Sequence, residues 1–477
     1  MKMNTLQRIL KNTGVMLFAN IVRKVFSFIF IMLMARHLGV TDFGVITFAV
    51  GFTELFTFIT DPGLNTLLVR DVAGDKSLSD KYIGNMTVMK SVFVFVFIGW
   101  LALFVNVLGY SKQTIHVVYI IAVHITLRAF SNMLYSLFQA HEKMEFQALG
   151  GILSNFFVLL GVLFAIRQNF NIIGISLIYV MGSALDLAYA TIVCRTKFHW
   201  PKLQVDWSFW KKSLKEAWPL ATSSVFFIIY FRIDIVMLSL IKDDLDVGIY
   251  GAAYRISEIL ILFPMIFMSA VFPVLSSYFK NSKSSFQKAY EKSTKFLFSL
   301  ALLLALVTML LARKFIFLMY GEGYEASVVP LQILVWGTAL MFVTSIQATT
   351  FVAANRQILS LKILLMAGVL NISLNLLAIP KYGYIGASIT TVITEIFILI
   401  KGLTLLEKEG YKLKVAHTWL APIIGIMAAG FIVILLSWLN VNVFLITAAG
   451  CLVYGIIVFL IGVNKEDKSL VKFMFSR

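Results

Sequence analysis

The chain has little of what a soluble protein displays. Only 14% of its 477 residues are charged, against roughly 25% in soluble domains. Acidic residues are the scarcer sign, with 24 Asp and Glu against 41 Lys and Arg. There are 2 cysteines, Cys194 and Cys451, each within or at the end of an apolar segment. They offer no metal spacing and no disulfide framework, so both read as packing residues. No loop is long, no tract is of low complexity, and no glycine-rich phosphate loop is present, so no nucleotide site on this chain drives its work. No Ser/His/Asp set and no His/Glu metal constellation is visible, and the chain reads as a non-enzyme with no cofactor.

What fills the sequence instead is apolar. Hydrophobic residues make up 60% of it, 42 of them Phe, and the mean hydropathy is +0.88. Segments of about 20 apolar residues recur. They fall near 14–35, 43–66, 83–108, 115–138, 148–166, 171–193, 217–241, 248–275, 294–312, 327–353, 358–379, 384–404, 418–438 and 441–463, which makes fourteen spans of an all-α polytopic membrane protein. The first run is long, carries Arg23 and Lys24 and lacks an Ala-x-Ala exit, so it reads as a span and not a cleaved signal. Residues Phe315–Tyr320 read as a short interfacial segment after the ninth span.

The net charge of +17 would suggest nucleic acid in a soluble protein. Here it follows the loops. With the N-terminus inside, 28 of the Lys and Arg residues fall in cytoplasmic segments, 7 on the opposite side and 6 within spans. That bias places both termini in the cytoplasm and leaves no basic stripe for nucleic acid. The largest loop, 195–216, is cytoplasmic, with Trp200, Trp207, Trp210 and Trp218 at or near lysines. It reads as an amphipathic interfacial linker.

The sequence also repeats itself. Asp42, Gly44, Ala49 and Glu54 recur as Asp246, Gly248, Ala253 and Glu258 at an offset of 204, opening spans two and eight. Phe138, Ala140 and Lys143 match Phe351, Ala353 and Arg356 at an offset of 213. Ile173, Gly174 and Ser176 match Ile385, Gly386 and Ser388 at 212, opening spans six and twelve. Three matches in order imply two parallel six-helix repeats around a central cavity. The division expected is 1–194 for the N-lobe, 195–216 for the linker, 217–404 for the C-lobe, and 405–477 for two further spans and a tail.

Several motifs then resemble a known group of transporters. They are Ala35-Arg36-His37-Leu38-Gly39, Asp61-Pro62-Gly63-Leu64 with Arg70, Arg232-Ile233-Asp234, Gly248-Ile249-Tyr250, Tyr320-Gly321-Glu322-Gly323-Tyr324 and Ala354-Asn355-Arg356-Gln357. In order and spacing they resemble the multidrug/oligosaccharidyl-lipid/polysaccharide exporter superfamily, and within it the Wzx-type polysaccharide or O-antigen flippases. The resemblance implies a flippase of the inner cell membrane that works by alternating access without ATP hydrolysis. Its substrate would be a polyprenyl-diphosphate-linked oligosaccharide, moved to the outer leaflet for O-antigen, capsule or exopolysaccharide synthesis. It further implies H⁺ or Na⁺ coupling, and membrane lipids and other polysaccharide-assembly membrane proteins as partners. A lipid-linked peptidoglycan-precursor flippase and a cation-coupled multidrug exporter are the alternatives within the superfamily. A cation-rich cavity and fourteen spans, against the usual twelve, disfavour the exporter.

Six cations lie inside the spans: Arg23, Lys24, Lys90, Arg128, Arg232 and Arg255. Each costs about 2.5–3.5 kcal/mol on insertion scales, so each requires a cavity, an acid or an anionic ligand. A diphosphate head would suit arginines. Arg23, Arg128, Arg232 and Arg255 are the expected substrate-binding residues. Lys24 has packing or snorkelling as its alternative, and Lys90 lies near enough to a span end to snorkel. The acids Glu54, Asp61, Asp234 and Glu258 are charge partners that could neutralise the site. Glu54 and Asp61, seven apart, share a helical face, His124 and Arg128 share another, and Arg255 and Glu258 can pair within their helix. Asp186 and Glu395 are candidates for ion coupling, with helix-end pairing as the plainer reading. Asn371 and Asn375 read as helix–helix hydrogen bonds.

Overall fold

The computed structural model describes residues 5–198, 202–413, 415–439 and 441–462. Among the described residues it is helical, without strands. In chain order the helices are α1 (Thr5–Leu55), α2 (Thr57–Thr60), α3 (Leu64–Gly74), α4 (Ser79–Val107), α5 (Lys112–Ala140), α6 (Met144–Arg167), α7 (Ile172–Lys197), α8 (Trp207–Ile241), α9 (Asp244–Leu260), α10 (Leu262–Asn281), α11 (Lys283–Tyr320), α12 (Val328–Ala353), α13 (Gln357–Lys408), α14 (Val415–Trp438) and α15 (Val443–Ile457). Eleven stretches among the described residues are long and apolar enough to cross a membrane. Two of these hold a break that lets one stretch carry two of the expected spans, at Gly39 (φ 75°) in α1 and at Gly383 (φ 53°) in α13. Both breaks use a left-handed conformation that glycine adopts without a Cβ penalty. The expected seventh span, 217–241, lies within α8.

The chain forms two compact units, Met1–Gly248 and Ile249–Arg477. In the first, α1 packs on α5, α6 and α8, and α5 packs on α3 and α7. Its core gathers Leu64, Leu67, Met86, Met133, Phe138 and Ala190. In the second, α12 packs on α10, α11 and α13, with Phe286, Tyr290, Leu297, Phe342, Ile346 and Leu406 buried together. The last two helices join α11, where the Tyr454 hydroxyl donates to the Ser299 carbonyl at 2.7 Å.

Three segments differ from the sequence reading. The second span is not one helix. It breaks at Phe56 and again over Asp61-Pro62-Gly63. Pro62 has no N–H to give, and Gly63 sits at φ 87°. The break interrupts the helical register between Glu54 and Asp61, and the two acids go to different cations, as described below. Phe315–Tyr320 is not a separate segment but the end of α11, which runs unbroken for 38 residues. In the 195–216 region, residues 202–206 form no regular structure and a helix begins at Trp207 and continues without interruption to Ile241. Asp206 caps it by accepting from the Phe209 N–H at 3.0 Å, and the Trp210 indole N–H donates to Asn85 at 3.1 Å. Trp207 and Trp218 are exposed while Trp210 packs on the first unit's core. Trp200 lies outside the described residues.

The corners after α5 and α12 close alike. Lys143 N–H donates to Phe138 and Arg356 N–H to Phe351, at 2.8 and 2.7 Å, past residues with φ of 59° and 57°.

Candidate functional site

The cations within the spans fall into paired and unpaired kinds. Lys90 is the clearest paired case. Its side chain has 0% exposure, so it does not snorkel. The ammonium lies 3.3 Å from the Thr60 carbonyl and 3.8 Å from Asp61. Asp61 in turn accepts from the Asn65 N–H at 3.2 Å. The broken second span leaves carbonyls free at the end of α2 and N–H groups free at the start of α3. Lys90 serves the first end and Asp61 the second. The sequence reading missed this because Lys90 is close to a span end in sequence, while the break that needs it is on another helix.

Arg232 on α8 donates from Nε to Glu54 at 2.5 Å, with side-chain exposures of 16% and 30%. Asp234, two residues on, is buried. In the second unit Arg255 donates from Nη1 to Glu258 at 2.8 Å, the pairing their spacing allows. Glu395 is 1% exposed and accepts from the Thr344 hydroxyl at 3.3 Å. Asn375 donates to Asn371 at 3.0 Å within α13 and accepts from Thr390 across the Gly383 break.

Arg23 is arranged differently. Its side chain lies across α6 at Gly151, where an added Cβ would stand 2.7 Å from Arg23 Cδ and 3.0 Å from Nε. The Nε is buried and has no hydrogen-bond partner. Arg128 on α5 and Asp186 on α7 lie close enough for their charges to act on this guanidinium. Asp186 is itself 9% exposed and accepts from the Tyr135 hydroxyl at 2.5 Å. Gly150 makes room for Tyr135 and Tyr189, whose atoms a Cβ there would strike. Arg128 and Lys24 are exposed. One turn before Arg128, the His124 Nδ1–H donates to the Tyr179 carbonyl at 2.8 Å. The structure thus brings Arg23, Arg128 and Asp186 together in the first unit. Tyr135, Gly150 and Gly151 were not singled out from the sequence. The signal for them was the glycine pair inside an apolar span, which marks a close approach.

Chemically, the arrangement is uneven. Lys90, Arg232 and Arg255 each have an acid beside them. Arg23 has no ion pair among the described residues, and two positive charges, its own and that of Arg128, stand against the one negative charge of Asp186 beside a guanidinium nitrogen without a hydrogen-bond partner. Such a place favours an anion, and the planar arginine fork suits phosphate or carboxylate.

A polytopic helical bundle with this interior belongs among membrane transport proteins. The family model described as "Polysaccharide biosynthesis protein" matches residues 9–279, and the chain belongs to that family, a group of polysaccharide flippases in the multidrug/oligosaccharidyl-lipid/polysaccharide superfamily. The model described as MatE matches residues 219–377. The chain is similar to the capsular polysaccharide biosynthesis protein CapF of Staphylococcus aureus, with 22% identity over 402 residues, covering 82% of this chain and 97% of that one. It is also similar to a probable low-salt glycan biosynthesis flippase, Agl15 of Haloferax volcanii, at 23% identity over 41% of this chain and 43% of that one. Among solved structures, the fold matches the lipid II flippase MurJ in an inward closed conformation, with TM-score 0.78, 16% identity and coverage of 93% and 97%. It matches an inward-facing multidrug resistance MATE transporter at TM-score 0.66, 13% identity and coverage of 81% and 95%. These relatives carry flippase, transporter and polysaccharide-biosynthesis names, in keeping with a non-enzymatic role.

Proposed function

We propose that this protein moves polyprenyl-diphosphate-linked oligosaccharide units from the cytoplasmic to the outer leaflet of the inner membrane, by alternating access of two parallel lobes. The observation that carries the reading is the cation excess at Arg23 and Arg128, set in a chain of the polysaccharide biosynthesis family. A diphosphate carries its charge in a compact head that two guanidinium groups can grip, while the prenyl tail stays in lipid. Both termini lie in the cytoplasm on this reading, as the distribution of loop lysines and arginines supports. Arg232 and Arg255 are held by Glu54 and Glu258, so any part they take in anion binding is conditional on release from those acids, whereas that of Arg23 and Arg128 is direct. An organic-cation exporter is disfavoured by the same charge excess.

The test is deletion of the gene followed by analysis of lipid-linked intermediates and surface glycan. The reading requires intermediates to accumulate on the cytoplasmic leaflet. Arg23→Ala and Arg128→Ala, checked for membrane insertion, should each reproduce the deletion. Normal surface glycan in the double variant overturns the reading. Rescue of a strain lacking its peptidoglycan-precursor flippase would assign the substrate to that class instead.

A further inference from the structure

We propose that Asn20 and Asn132 form a sugar-reading subsite next to Arg23 and Arg128, so that the first unit recognises the sugar joined to the diphosphate as well as the diphosphate itself. The inference rests on the anion site described above and deepens it by naming the residues that tell a glycosylated head from a bare one.

The geometry of the first unit carries it. Gln113, at the start of α5, donates to Asp42, just past the Gly39 break of α1, at 3.3 Å. Further along, Arg128 of α5 lies close enough to Arg23 of α1 for their charges to act on one another. The first half of α1 and α5 therefore run antiparallel. Asn20 precedes Arg23 by three residues, and Asn132 follows Arg128 by four. Each amide shares its arginine's helical face. In antiparallel helices both then lie on the same side of the arginine pair, about 5–6 Å along the axis. That side points to the end of α5 at Ala140, the cytoplasmic end on the orientation proposed above. On the opposite side the matching positions are Ser27 and His124, and the His124 ring is already bonded to the Tyr179 carbonyl.

This face is open, and it is not the lipid face. Arg128 and Asn132 are exposed, and Asn20 is half-buried. The exposed large apolar residue of α5 is Val123, about 140° around the helix from Arg128. On α1 the exposed Phe18, Ile21 and Val25 lie about 140–160° from Arg23. Each helix thus turns an apolar face to lipid and a polar face to water-filled space, as polar groups within a span require. The two amides also differ from others in the spans. Asn85, Asn106, Asn155 and Asn375 donate to groups within the protein. Asn20 and Asn132 have no hydrogen-bond partner among the described residues. An amide offers two N–H donors and a carbonyl acceptor. That set fits the hydroxyl and acetamido groups of a sugar and has nothing to offer a prenyl chain. The face therefore holds a charged pair for the diphosphate and, one turn nearer the cytoplasm, two neutral groups for the sugar. A lipid-linked sugar in the cytoplasmic leaflet presents its parts in the same order, with the prenyl chain in lipid, the diphosphate next and the sugar nearest the cytoplasm.

The experiment uses the full-length protein in lipid nanodiscs, with farnesyl diphosphate and its glucosyl and N-acetylglucosaminyl esters as probes. Affinities are measured by titration calorimetry. The wild type should bind at least one sugar-bearing probe more tightly than the bare one. Asn20→Ala and Asn132→Ala should each lower that affinity about three- to tenfold, the range for losing one hydrogen bond, and leave farnesyl diphosphate unchanged. Asn132→Leu, which keeps the volume, should behave as Asn132→Ala does, and Asn132→Gln should recover part of the loss. A merely structural role would weaken all the probes together. A wild type that binds the bare and sugar-bearing probes equally overturns the inference. So do amide variants that bind the sugar-bearing probes as the wild type does, or that lose every probe alike. Asn132 is exposed, so its variants should keep the wild-type unfolding midpoint, and they decide alone if Asn20→Ala fails to fold. Arg23→Ala separates the two levels, since it should weaken every probe. If it does so while the amide variants change nothing, the anion site stands and only the sugar subsite fails. If the wild type does not bind farnesyl diphosphate, or Arg23→Ala binds it equally well, the anion site fails and the subsite with it.

Discussion

Lys90 and Arg23 belong to the same compact unit and are both cations inside apolar spans, yet the structure serves them in opposite ways. Lys90 is enclosed and matched to a carbonyl and a carboxylate at a broken helix. Arg23 is laid over a glycine with one nitrogen unsatisfied and a second arginine close enough for its charge to act on it. A buried cation that completes another group's hydrogen bonding is part of the scaffold. One that is left incomplete costs the protein stability, and a ligand is the usual reason to bear that cost.

The sharpest way to break this contrast is at Lys90. Lys90→Ala leaves the Asp61 carboxylate and the Thr60 carbonyl without their shared donor. The expected loss is at the lower end of about 3–5 kcal/mol, the range for removing one partner of a buried pair, because Asp61 is 27% exposed and keeps the Asn65 N–H. Thermal unfolding of the purified protein in detergent should show it as a large fall in midpoint. Lys90→Met combined with Asp61→Asn should recover part of the loss, since no charge is then stranded. If Lys90→Ala is as stable as the wild type, the second span does not depend on this lysine. The comparison with Arg23 then dissolves, because both would be dispensable to the fold.

A smaller effect tests the other member of the pair. Gly151→Val puts side-chain atoms where Arg23 now lies, 2.7 Å from its Cδ at the Cβ alone. Overpacking of this kind costs about 1–3 kcal/mol, less than stranding Asp61. Its effect on transport should be out of proportion to its effect on stability, because the displaced group is the guanidinium. The measurement is surface glycan against unfolding midpoint for Gly151→Ala and Gly151→Val. Stability and transport falling in step would mean that Gly151 is ordinary helix packing.

Much of the architecture was legible in the sequence. Apolar length and the placement of loop lysines gave the helical membrane class, and the fourteen segments fall on helix except at ends and breaks. What periodicity could not give was the interruption at Asp61-Pro62-Gly63. The motif was visible, but the helix on either side was read through it, and so Glu54 and Asp61 were put on one face. The structure sends Glu54 to Arg232 and Asp61 to Lys90. The cations themselves were all visible, since a charge in an apolar run cannot be missed. Their partners were not, because Arg232 and Glu54 stand 178 residues apart, and the 51-residue Tyr135–Asp186 contact joins two helices with another between them in sequence. Tyr135 looked like any aromatic on a packed helix until its hydroxyl was seen against the carboxylate.

The smallest expected effect lies outside the spans and marks where pairing ceases to matter. Arg70 bridges Asp71 at 2.6 Å and Glu216 at 2.7 Å, but its side chain is 58% exposed. The Arg70 guanidinium holds the Asp71 carboxyl below its ordinary value of 3.8. Because the folded-state carboxyl is the stronger acid, the unfolded chain takes up the proton first as pH falls. The contribution to stability is therefore fully present above the ordinary carboxylate value and disappears as pH drops through the folded-state value. Arg70→Ala should lose that contribution at neutral pH, where it is small because water screens exposed pairs, and the difference from the wild type should vanish as the carboxyl is protonated. Unfolding midpoints measured from pH 6 down to about pH 3 would show the two proteins converging at the acid end. A loss in Arg70→Ala at neutral pH as large as that in Lys90→Ala would mean that burial is not what separates scaffold cations from surface ones.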